Sequence, residues 1–148
     1  MSKKSIEPKL PIVEDVDALR KALERAWRRN TSADPDGWSA ANSAWGQCAV
    51  TALIVQDFFG GVLIRSVIAG VSHYWNRLPS GEEADFTRHQ FREAPELSPA
   101  EVRDREYVLS FHLTQERYRI LRQAVIAELT QMSREGPRQS TEESHGRE

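Results

Sequence analysis

Cysteine is almost absent from the chain, with Cys48 standing alone among 148 residues. That excludes an intramolecular disulfide and fits a reducing compartment, where a single thiol invites a reading as a nucleophile. Long apolar runs are missing too. The most apolar segment, 49–59, is broken by Gln56 and Asp57 and is far shorter than the roughly 20 residues that span a bilayer. An excess of either charge is also lacking. Twenty Lys and Arg against 22 Asp and Glu leave a net charge of −2, which removes any whole-molecule pull toward nucleic acid or an anionic membrane. No internal repeat and no Gly-rich phosphate loop is found. The lysines near Met1 are not followed by an uninterrupted apolar stretch, so no export signal is expected and the location implied is cytoplasmic.

What is present suits one soluble domain, since this length buries a core without metal or disulfide staples. The expected domain covers 1–132, with 1–14 a flexible leader and the polar stretch 133–148 a disordered tail. Val16, Leu19, Leu23, Ala26 and Trp27 recur at helical spacing, with Asp15 as cap and Asn30 as the stop. The arginines and lysine of that helix (Arg20, Lys21, Arg25, Arg28, Arg29) read as a solvated face and are assigned no partner. A loop with Pro35 and Gly37 leads to a second helix, starting at Cys48 and stopping at Gly60 and Gly61. Its apolar residues lie on nearly every face, so it must be buried.

"VLIRSVIAG" predicts a strand, and "SHYWNRLPSGEEADFT" predicts two more around a turn. Pro79 and Ser80 in the right-handed region with Gly81 left-handed make a three-residue hairpin loop. Leu78 and Glu82 then flank the loop, Trp75 pairs with Asp85, His73 pairs with Thr87, and all four of those side chains share one face. A loop longer by one residue would place His73 and Asp85 on opposite faces. Ser98, Pro99 and Glu101 read as a capping box that opens a further helix. The last helix is expected from Thr114, with Tyr118, Leu121, Val125, Leu129 and Met132 as its apolar stripe. The fold class is therefore α+β: a buried helix beginning at Cys48, packed on a small antiparallel sheet and flanked by helices.

A helix N-terminus concentrates positive potential, and a histidine added to it favours thiolate over thiol. Cys48 sits at such a place, although a small residue filling the core is the plainer reading of a lone cysteine. His73 has the chemistry of a general base, and Asp85 that of the group orienting it; a sheet histidine bonded to backbone and a turn carboxylate facing water are their plainer readings. Trp75, on the face of His73, would shield the imidazole–carboxylate bond from water. The Cys48 backbone N–H with the side-chain amide of Asn42 or Gln47 would supply the oxyanion donors, unless either amide serves instead as a helix cap. A metal reading through His73, Asp85 and His89 lacks a compact pair such as H-E-x-x-H, so no metal and no cofactor is assigned.

"GQCAVTALIVQDFFGG" followed by "SHYWNRLPSGEEADFTRHQF" resembles the bacterial YunG-like family over about residues 38–92, with a looser echo in "TQERYRILRQAV". More distantly, cysteine at a helix start, histidine in an H-x-W context and aspartate shortly before threonine resemble the papain-like and transglutaminase-like superfamily. That likeness implies a Cys48–His73–Asp85 site between a buried helix and an antiparallel sheet, with Asn42 where papain-like enzymes carry an oxyanion glutamine. The expected function is a cysteine-dependent hydrolase or acyltransferase acting on a small or peptide-like acyl, amide or ester substrate. The rival expectation is a non-catalytic interaction module with an aromatic groove of Tyr74, Trp75 and Phe86.

Overall fold

A computed structural model of the chain describes residues 10, 11, 13, 15–91 and 99–145, the side chains beyond 135 excepted. The element order is α1 (Val16–Ala26), α2 (Cys48–Phe59), β1 (Val62–Ile68), β2 (Val71–Arg77), β3 (Glu83–Ala84), β4 (Glu101–Arg103), α3 (Arg105–Leu109) and α4 (His112–His145). The four strands form one antiparallel sheet in the order β3-β2-β1-β4. This is an α+β fold with a small antiparallel sheet and packed helices. Among the described residues no helix is long and apolar enough to cross a membrane.

The physical centre is α2. One side of it, through Val50, Ile54 and Val55, joins a core with Leu19 and Leu23 of α1, Phe86, and Leu121, Val125 and Leu129 of α4. The other side, through Ala52 and Leu53, packs on Leu63, Tyr74 and Val108. A helix between two cores has no solvent face to keep polar, which is why its sequence is apolar all round. Polar ties add direction. Asn76 donates from Nδ2 to the Ala52 carbonyl at 2.9 Å, fixing β2 against α2.

Helix α1 begins where expected, with the Asp15 side chain accepting from the Asp17 N–H. It ends at Ala26 rather than Asn30, because Trp27 leaves helical backbone (ψ 133°) to seat its buried ring, its Nε1 donating to the Thr51 hydroxyl at 2.9 Å. The hairpin takes the expected register: Asn76 pairs with Ala84 and Arg77 with Glu83. Leu78 N–H donates to the Glu82 carbonyl at 2.8 Å, and Gly81 has φ of 94°. The ladder is short, however, and stops at Ala84, so Asp85 and Thr87 lie on the turn that follows it.

The predicted helix start at Ser98, Pro99 and Glu101 is not what forms. Ser98 lies outside the described residues, and Glu101–Arg103 is strand β4, paired with Leu63, Ile64 and Arg65 of β1. A capping box is a local preference worth about 1 kcal/mol. Here the free edge of β1 offers backbone partners instead, and the helix starts after Asp104. Helix α4 opens at His112, two residues before Thr114, and buries Leu121, Val125 and Leu129 as expected. Its backbone stays helical to His145, through most of the segment expected as a tail, since each added residue of a formed helix gains a bond without a new nucleus. Of the expected flexible leader, Val13 packs against the core, and residues 1–9, 12 and 14 lie outside the described set.

Candidate active site

Cys48 occupies the first position of α2 and is half-buried. The turn before it is held tightly. Gly46 has φ of 75°, its N–H donates to Gln90 Oε1 at 3.1 Å, and its carbonyl accepts from the Ala33 N–H at 2.8 Å. A Cβ at residue 46 would meet Ser32 Oγ at 2.3 Å, so only glycine fits this approach. The thiol then points toward β2, with Sγ 3.8 Å from the Ser72 carbonyl.

His73 follows Ser72 on β2 and is 1% exposed. Its Nε2 lies 2.7 Å from Asp85 Oδ2, and its other nitrogen, Nδ1, is buried without a hydrogen-bond partner. The ring is clamped on two sides: Trp75 stacks on it at 5.7 Å between centroids, and Phe91 meets it edge-on at 5.3 Å. Asp85 is itself fixed, since Oδ2 also accepts from Arg88 Nε at 2.7 Å and Oδ1 from the Thr87 N–H at 3.3 Å. Trp75 Nε1 donates to Glu83 Oε1 at 2.8 Å, which anchors the stacking ring.

The electrostatics follow from this packing. Burial disfavours the imidazolium, but the hydrogen bond to Asp85 and the adjoining Cys48 thiol outweigh it, and the His73 pKa is raised to about 9. For Asp85 burial works against ionisation, and the His73 and Arg88 contacts overcome it, so its pKa is lowered. The two shifts describe a charged pair at neutral pH, with the Cys48 thiol adjoining the ring.

A family model described as YunG protein matches residues 15–130, more than half of the chain and all of this site. The chain belongs to the YunG family. It is similar to the uncharacterized protein YunG of Bacillus subtilis (strain 168), with 29% identity over 120 residues, covering 81% of this chain and 99% of that relative. No solved structure matches it.

In this YunG-family chain the structure gathers Cys48, His73, Asp85 and Trp75 and sends the two candidate amides elsewhere. Gln47 is fully buried, with Oε1 accepting from the Thr31 hydroxyl at 2.8 Å and Nε2 donating to the Arg28 carbonyl at 3.0 Å. Both ends of its amide are spent anchoring α2, and neither reaches the thiol. Asn42 donates from Nδ2 to the Gln90 carbonyl at 3.1 Å, tying two loops together. These are the places the structure gives the two amides expected as oxyanion donors. His89 is also elsewhere, its ring tilted on Trp27 at 6.0 Å, and among the described residues no group of three or more His, Cys, Asp or Glu side chains is placed to hold a metal. The expected aromatic groove is not formed: Tyr74 and Trp75 alternate onto opposite faces of β2, and Phe86 is buried in the helical core.

Three participants had been missed. Arg88 binds Asp85 from three residues on, a spacing that a turn after the strand makes possible. Gln90 braces the Cys48 turn from 44 residues away, and Phe91 packs on His73; neither distance leaves a local signature. Cys48 and His73 open on a cavity of about 600 Å³, lined also by Val50, Ile68, Phe91 and Arg117.

Proposed function

We propose that this chain is a cysteine-dependent hydrolase or acyltransferase for an amide, ester or other acyl substrate, with Cys48, His73 and Asp85 as its reacting and orienting groups. The observation that carries the reading is the His73 ring, bound through Nε2 to Asp85 and leaving Nδ1 for the thiol that shares its cavity. The order cysteine at a helix start, histidine on a strand and aspartate after the next strand supports a reduced papain-like or transglutaminase-like core. A cytoplasmic setting belongs to the same proposal.

In the first step the thiol proton resides on His73 and the sulfur attacks the substrate carbonyl carbon. As the tetrahedral intermediate collapses, the bond to the leaving nitrogen or oxygen breaks and His73 delivers its proton to that atom. Water, or an acceptor hydroxyl or amine, then attacks the thioester with His73 taking its proton. The acyl product leaves, and sulfur and imidazole share one proton again. Asp85 stays ionised throughout and holds the ring in the tautomer that serves the sulfur. The Cys48 backbone N–H, at the end of a helix where N–H groups lack partners within the helix, is the oxyanion donor of this scheme.

Incubation of the protein in cell extract, followed by mass spectrometry of the Cys48 peptide, tests the reading directly. An acyl adduct that is present with native Cys48 and absent from Cys48→Ser supports it. Alkylation by iodoacetamide that follows an ordinary free thiol across pH, and is unaffected by His73→Ala, counts against it.

A further inference from the structure

Helix α4 brings a cation to the same cavity. Thr114 and Arg117, three residues apart and so on one helix face, both line it. Thr114 is buried, and Arg117 donates to its hydroxyl at 3.3 Å. The Arg117 Nε is buried without a hydrogen-bond partner. Several other arginines close to the core are matched to acids: Arg88 to Asp85, Arg105 to Asp57, and Arg65 and Arg103 to Glu101. Among the described residues no acid is set against Arg117, and burial alone acts on it, pulling its pKa down. Asp34, which also borders the cavity, has its oxygens engaged by Trp45 Nε1 at 3.0 Å and the Gly37 N–H at 3.3 Å.

A half-buried guanidinium with open donors is costly to keep unless something anionic completes it. Its planar fork suits a carboxylate, which it can hold through two parallel bonds. The rest of the lining is chiefly apolar, with Ala49, Val50, Ile68, Val71 and Phe91. We infer that Arg117 is the specificity-determining residue of the cavity, pairing with a carboxylate on a substrate whose body is apolar and whose amide or ester carbonyl lies at Cys48. The assignment of the carbonyl rests on the hydrolase reading above; the anion site rests on Arg117 and the cavity alone.

Competitive alkylation separates the two. Rates of Cys48 modification by iodoacetate and by iodoacetamide are measured for the native protein, Arg117→Gln and Arg117→Lys, with the denatured chain as the reference thiol. The iodoacetate-to-iodoacetamide ratio should exceed that of the denatured chain, fall about tenfold in Arg117→Gln, the counterpart of one charge-assisted hydrogen bond, and recover in part in Arg117→Lys. A ratio that does not respond to Arg117→Gln in a folded variant overturns the proposal. Should that variant fail to fold, protection of the native thiol decides: hexanoate should slow iodoacetamide alkylation where hexanamide does not, and equal protection by the two overturns it. A normal free-thiol rate with iodoacetamide combined with an Arg117-dependent ratio would instead reject the hydrolase reading and retain the anion site.

Discussion

His73 Nε2 meets Asp85 Oδ2 at 2.7 Å just beyond the last ladder pair of the β2–β3 hairpin, Asn76 with Ala84. The strand ends and the contact survives, because Arg88 and the Thr87 N–H hold the carboxylate from the following turn. A short ladder thus sets the register, and a turn completes the pair.

Stability should record this pair as pH changes. The His73 pKa is raised to about 9 from its ordinary 6.5, so its contribution is fully present below about pH 6.5 and is lost as pH rises through about 9. The lowered Asp85 pKa contributes above the ordinary carboxylate value of 3.8 and is lost as pH falls through the folded value. The pair therefore stabilises most between roughly pH 4 and 6.5. Denaturant midpoints of the native chain and Asp85→Asn should differ most near pH 5, the gap narrowing toward about pH 9.5. A gap of constant size across that range would contradict the shifts.

The legible parts of the site were those encoded locally. Pro79, Ser80 and Gly81 specify a loop length, loop length specifies register, and register brings His73 toward Asp85. Cys48 was readable because a helix start and a buried apolar run coincide there. Glu101–Arg103 was misread because capping residues speak for their own neighbourhood, whereas β4 exists through a partner about 40 residues back, at Leu63–Arg65. Asn42 and Gln47 show the same limit from the other side: an amide near a thiol in sequence is a donor to whatever carbonyl the fold presents, here Gln90 and Arg28.

The clamp of α3 and α4 on α2 predicts an asymmetry. Asp57 receives Arg105 at 2.7 Å and the Tyr118 hydroxyl at 2.6 Å, yet burial outweighs both and its pKa is raised. Its charge is therefore tolerated rather than favoured. Asp57→Asn, which keeps an acceptor oxygen, should cost about 1 kcal/mol, while Arg105→Met removes the nearer of two arginines, leaves the carboxylate with the Tyr118 hydroxyl and Arg122 at 3.9 Å, and should cost about 2 kcal/mol. Urea denaturation of the two variants gives the comparison, and equal losses would place the energy in packing instead.

The turn before Cys48 should be intolerant of any side chain at Gly46. Ser32 Oγ, which would lie 2.3 Å from an added Cβ, cannot withdraw, because it donates to the Trp45 carbonyl at 2.8 Å and accepts from the Asp34 N–H at 3.0 Å. With the positive φ added, Gly46→Ala should cost about 2–3 kcal/mol. Gly70→Ala, where φ is 82° but no atom lies within 4 Å, isolates the conformational part, and thermal melts of both should show the greater loss at Gly46.

The lining of the cavity includes a removable strain. Ile68 pairs with Val71 across a two-residue turn in which Ala69 has φ of 51° and Gly70 of 82°. Two positive φ values suit the twist of a tight hairpin, and asparagine before glycine is the favoured filling. Alanine gains nothing from the left-handed region and bears its steric cost of about 1 kcal/mol. Ala69→Asn should therefore raise stability by about 0.5–1 kcal/mol, and Ala69→Val, with a branched Cβ in the same region, should lower it by more. Paired thermal melts measure both. Loss of stability in Ala69→Asn would mean that the methyl group facing the cavity contributes more than the turn conformation costs.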